Sequence, residues 1–105
     1  SGKTEVYFHL IKKVLEQGKN VLFLVPEIAL ASQLAKRFVA KFGTQEVAIW
    51  HSSISDGEKY DVWQKMQDDK IRIVIGARSA VFAPLKNLGL IIIDEEHESS
   101  RKRRK

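Results

Sequence analysis

Two short polar stretches of this sequence have the residue types that phosphate chemistry requires. Gly2-Lys3-Thr4 opens an amphipathic segment and fits the last three positions of the phosphate-binding loop G-x-x-x-x-G-K-[ST]. In such a loop, N–H groups at a helix N-terminus face the anion. The lysine neutralises the β- and γ-phosphates, and the hydroxyl coordinates Mg²⁺. The loop's first glycine and the next three positions would precede Ser1. Alone the tripeptide is weak, since average composition produces it about once in twenty chains of this length. A helix start without a ligand reads the same way.

Asp94-Glu95-Glu96-His97 follows the apolar run Leu90-Ile91-Ile92-Ile93. The first carboxylate suits a hard cation, which takes oxygen ligands. The second suits orientation and deprotonation of a water attacking a phosphoanhydride. The competing reading is a solvated acidic helix start. Taken together the two stretches supply a phosphate cradle, a metal ligand and a base, a combination far more specific than either half.

The elements that must position them alternate in type. Val6, Tyr7, Leu10, Ile11, Val14 and Leu15 recur at helical spacing and predict a helix over 3–17, stopped by Gly18. Val21–Val25 is a continuous apolar run closed by Pro26, predicting a strand buried on both faces. Ile28, Leu30, Leu34, Phe38, Val39 and Phe42 mark a second helix ending near Gly43. Residues 47–50 read as a short strand, followed by a polar turn over 51–55. Ser55 with Glu58 fits a capping box opening a third helix that bears Tyr60, Val62, Trp63 and Met66. Residues 71–75 and 88–93 read as further apolar strands, likewise buried on both faces, with a loop or short helix over 76–84. Such alternation predicts an α/β fold with three layers and a mainly parallel sheet, whose ligands gather at the carboxyl ends of the strands.

Composition narrows the function classes. The chain has 105 residues, enough for one domain, and its 44% apolar content supports a packed core. The formal charge of +5 comes from residues 101–105, Arg-Lys-Arg-Arg-Lys; the first 100 residues carry 13 charges of each sign. A basic balance is therefore no argument for nucleic-acid binding by the folded part. The tail reads as disordered. There is no cysteine, which excludes a disulfide scaffold or thiolate zinc site and is compatible with the cytoplasm. No apolar run approaches the roughly 20 residues of a membrane span.

Ser1-Gly2-Lys3-Thr4-Glu5-Val6-Tyr7, Val25-Pro26-Glu27-Ile28-Ala29-Leu30, His51-Ser52 with Ser55, Ile75-Gly76-Ala77-Arg78-Ser79-Ala80-Val81-Phe82-Ala83-Pro84, Asn87-Leu88-Gly89-Leu90 and Asp94-Glu95-Glu96-His97 occur in that order. This succession resembles the first RecA-like motor domain of the bacterial primosomal replication-restart helicases of superfamily 2, across nearly all of residues 1–100. The Pro-Glu-Ile-Ala-Leu and Ala-Arg-Ser-Ala stretches discriminate best. The resemblance implies a partial P-loop NTPase domain over 1–100, lacking the strand before the phosphate loop, within an ATP- and Mg²⁺-dependent 3′→5′ DNA helicase. Ser1, Gly2, Lys3 and Thr4 would bind the nucleotide and Thr4 and Asp94 the metal, with Lys3, Asp94 and Glu95 catalytic. His97 would couple nucleotide state to the DNA surface, and Pro26, Glu27, Arg78 and Ser79 would touch the strand. Zinc is expected only in parts of such a protein outside this chain. The implied partners are single-stranded or forked DNA and primosome proteins, in the cytoplasm.

Each residue also has a plainer reading. Pro26 is an ordinary strand terminator, Glu27 a helix-start acid, and Ile28, Ala29 and Leu30 helix core. Arg78 fits a structural salt bridge as well as a phosphate contact. His51 suits a loop hydrogen bond, and His9 the surface. Trp50, Tyr60 and Trp63 could stack on bases but at these spacings are more often core. Ser79 lacks the Gly-x-Ser-x-Gly elbow of a hydrolase nucleophile. Two other functions compete: a DNA translocase with the same ATP chemistry, and a non-catalytic nucleic-acid-binding or interaction module. Without the strand before the phosphate loop, a slot should open in the sheet, with unpaired edges prone to self-association. With four loop positions and their N–H donors lacking, the chain alone is expected neither to hydrolyse ATP usefully nor to unwind DNA.

Overall fold

The computed structural model describes residues 2–43, 47–51, 54–77 and 85–94, and for residues 2–4 the backbone alone. Its elements are α1 (Gly2–Glu16), β1 (Asn20–Leu24), α2 (Ile28–Phe42), β2 (Val47–Trp50), α3 (Asp56–Gln67), β3 (Ile73–Gly76) and β4 (Leu88–Ile93). The strands form one sheet in the order β2-β3-β1-β4, and every pairing is parallel. The α/β expectation holds.

Side-chain alternation along β1 divides the core. Val21, Phe23 and Val25 face α1 and α2, where they join Phe8, Ile11, Ala31, Ala35 and Phe38. Leu22 and Leu24 face α3 and meet Met66, Ile71 and Val74. Hence β1 is buried along its whole length, as its unbroken apolar run predicts. Ring edges meet ring faces at the centre of the larger cluster: Phe8–Phe38 at 5.0 Å and Phe23–Phe38 at 5.4 Å between centroids.

The turns follow local chemistry. Gly18 (φ 80°) ends the α1 region in a left-handed conformation that a Cβ would penalise. Ser55 accepts a hydrogen bond from the Glu58 backbone N–H at 3.1 Å, and the Glu58 carboxylate accepts one from the Ser55 N–H at 2.9 Å. This is the capping box expected from sequence.

Several expectations need correction. The strand assigned to 71–75 spans Ile73–Gly76, because the Ile71 N–H is held by the Lys65 carbonyl after α3. β4 is not buried on both faces: Ile91 and Ile93 are 46% and 59% exposed. They share the face of Leu22 and Leu24, but α3 covers only the inner part of that face. No slot opens inside the described sheet, since β1 is paired on both sides; the free edges belong to β2 and β4. Tyr60 and Trp63 are exposed rather than core, because Met66 is the buried residue of α3. Ile28 and Ala29 are exposed too. The fully buried stripe of α2 begins three residues after Ile28 and runs Ala31, Ala35, Phe38.

Candidate nucleotide site at the carboxyl edge of the sheet

Because all four strands run the same way, one sheet edge collects every strand C-terminus. The β1 end continues into Val25, Pro26 and Glu27, the β2 end into His51, the β3 end into Ala77, and the β4 end into Asp94. The helix preceding β1 runs antiparallel to it, so the N-terminus of α1, with Gly2, Lys3 and Thr4 in its first turn, belongs to this same edge. There the first backbone N–H groups of a helix lack intrahelical acceptors and present the positive end of its dipole.

Asp94 is fixed at this edge by its backbone. Its N–H donates to the Leu24 carbonyl at 2.9 Å, while the Val25 N–H donates to the Gly76 carbonyl at 2.9 Å. These bonds carry the ladder one step beyond β1 and tie the ends of β3, β1 and β4 together. Asp94 is half-buried there. Asp94 brings a carboxylate, a hard oxygen donor, to this edge. Among the described residues no group of three or more His, Asp or Glu gathers to hold a metal.

Glu27 is the N-cap of α2 in extended conformation (φ −136°, ψ 142°), and its side chain makes no capping hydrogen bond. It is exposed, and Pro26 is half-buried. The exposure of Ile28 and Ala29 removes the plain reading of those two as helix core, whereas Leu30 packs inward, and Glu27 does stand at the helix start. His51 is half-buried, and its backbone carbonyl accepts the Ile54 N–H at 3.3 Å. His9 is exposed, and Trp50 packs against the smaller cluster. Ser1, Arg78, Ser79, Glu95 and His97 lie outside the described residues, as do the side chains of Lys3 and Thr4. A cleft of about 440 Å³ lined by Lys12, Leu15, Glu16, Lys41 and Phe42 lies between the C-terminal ends of α1 and α2. It is at the opposite sheet edge and takes no part in the site.

Residues 1–105 match the family described as "Type III restriction enzyme, res subunit". The chain belongs to that family. Among its relatives, it is 59% identical over 102 residues to the replication restart protein PriA of Bacillus subtilis (strain 168), covering 97% of this chain and 12% of that protein. The PriA proteins of Synechocystis sp. and Rickettsia felis are 57% and 51% identical over the same share of the chain, which covers 12% and 16% of them. The similarity to primosomal replication-restart proteins read from sequence is borne out. The chain spans well under a fifth of the length of these relatives. The parallel sheet with helices on both faces agrees with a RecA-like helicase domain of this family. No described helix is long and apolar enough to cross a membrane.

Proposed function

We propose that this chain is the nucleotide-binding part of the first motor domain of an ATP-dependent 3′→5′ DNA helicase acting in replication restart. One observation carries the reading: the α1 N-terminus with Gly2, Lys3 and Thr4 and the β4 end with Asp94 share one edge of one sheet. Ser1 and Gly2 would offer backbone N–H groups to the phosphates, and Lys3 a cation. Thr4 and Asp94 would hold Mg²⁺, which neutralises the phosphate charge when bound. Glu95 would orient the attacking water and accept its proton, and His97 would relay the nucleotide state. Pro26 and Glu27, at the exposed start of α2, would face the DNA strand together with Arg78 and Ser79. Single-stranded or forked DNA and primosome proteins are the partners in this reading, and the unpaired β4 edge would let the isolated chain pair with itself.

The test is calorimetry with Mg·ADP on this chain and on a form extended upstream by about 30 residues, the length of a βα unit. The extended form is expected to bind, and Lys3→Ala to abolish binding. If neither form binds, the interaction-module reading takes over. The family description favours a second reading, a DNA translocase that does not separate strands. Displacement of a third strand from a triplex without unwinding of a fork, by the full-length protein, would select it.

A further inference from the structure

The amino edge of the sheet, opposite the candidate site, carries a polar assembly built on Arg72. Its Nε donates to Asn20 Oδ1 at 2.9 Å. One terminal nitrogen donates to the Leu15 carbonyl in the last turn of α1 at 3.0 Å and to the Lys19 carbonyl at 2.8 Å. Asn20 is 2% exposed. Its Nδ2 donates to the Lys86 carbonyl at 2.6 Å, and its backbone N–H to the Asn87 carbonyl at 2.8 Å. Lys86 Nζ in turn donates to the Gln67 carbonyl at the end of α3, at 2.8 Å. One guanidinium thereby links the C-terminus of α1 to the starts of β1 and β3 and to the approach to β4.

The chemistry favours this grip. The last carbonyls of a helix lack intrahelical donors and carry the negative end of its dipole, so a cation with several N–H donors is well placed there. A planar fork holds several acceptors in a fixed relation, which an ammonium does not. The buried Asn20 has both side-chain atoms satisfied, so the assembly leaves no polar group stranded.

The two elements that bear the candidate nucleotide residues are both held here by their far ends. β4 is pinned at its other end as well, through the Asp94 N–H and the Leu24 carbonyl. α1 lies against the core through Phe8 and Ile11, while Val6 and Leu10 are 56% and 43% exposed. Its fifteen residues make a rod about 22 Å long. A tilt of about 3° at the Arg72 end would move the Lys3 end by about 1 Å, a displacement large enough to matter at a phosphate.

We infer that Arg72, working with Asn20, is a positioning residue that sets the tilt of α1 and so aims its first turn at the phosphates. The inference rests on the nucleotide reading proposed above. The test uses the upstream-extended chain with Arg72→Met, Arg72→Lys and Lys3→Ala, reading Mg·ADP affinity, urea midpoint and amide hydrogen exchange.

Arg72→Met is expected to weaken Mg·ADP binding by about tenfold, below the roughly hundredfold that a full 1 Å misplacement of a reacting group can cost. Exchange should rise along α1 while α2 stays protected, and Arg72→Lys should recover only part of the affinity. Should Arg72→Met fail to fold, Asn20→Ser, which removes one acceptor of the fork, carries the same expectation. Affinity lost on Lys3→Ala but unchanged on Arg72→Met overturns the inference and spares the nucleotide reading. Equal loosening of α1 and α2 also overturns it, because the role is then general stability. Absence of Mg·ADP binding by the unsubstituted chain removes both.

Discussion

Gly89 shows how closely one residue can be constrained without unusual backbone angles. A Cβ built there would come 2.6 Å from Lys19 Cβ and 2.9 Å from Val14 Cγ1. The first of these is fixed to the backbone and cannot swing away. Gly89→Ala is therefore expected to destabilise the chain by about 1–3 kcal/mol, as overpacking does, read as a lower urea midpoint at unchanged slope. Phe38 sits at the opposite extreme. It is fully buried and touches the rings of Phe8, Phe23 and Phe42. Phe38→Ala should cost about 3–5 kcal/mol, a large part of the stability of a domain this size. Loss of the cooperative thermal transition would be the readout.

At the scale of elements, α3 depends on its ends more than on its face. Its one fully buried residue is Met66, and its Asp61–Lys65 ion pair is exposed at 3.5 Å, so it adds little. Ser55→Ala removes one bond of the capping box and should cost about 1 kcal/mol, measured as a lowered melting temperature with faster exchange in the first turn. This cap was legible in the sequence because its residues are three apart. β1 was legible for a related reason: a strand buried on both faces needs an unbroken apolar run. The same rule misled for β4, whose run is equally apolar. Whether a neighbour covers Ile91 and Ile93 depends on sheet order, which no local pattern encodes. The stripe on α2 was read one turn too early, because Ile28 is apolar but lies beyond the end of the sheet. In the candidate site, the Gly-Lys-Thr and Asp-Glu-Glu-His stretches announced themselves by residue type. The assembly of Arg72 with Asn20 did not, since its partners are far apart in sequence and are ordinary polar residues until folded.

For the whole molecule, the sheet order sets how the chain behaves toward others. β4 presents Leu88, Ile91 and Ile93 with substantial exposure on an edge without a charged gatekeeper inside the strand. Ile91→Lys with Ile93→Lys is expected to reduce self-association at high concentration, seen as a lower weight-average mass in sedimentation. The substitutions fall on the uncovered side, so the thermal transition should change little. A mass that is monomeric before substitution would show that the edge does not pair. The sheet order also has a temporal side. Val21 pairs with both Ile73 and Leu90, so the central strand is made early and must wait for partners encoded much later. A ribosome adds about 5–20 residues per second, which leaves β1, with Phe23 within it, waiting seconds for its partner strands during synthesis. The segment at the heart of the finished sheet is thus one that a nascent chain keeps unpaired until its last strand emerges, and a natural one for a chaperone to hold.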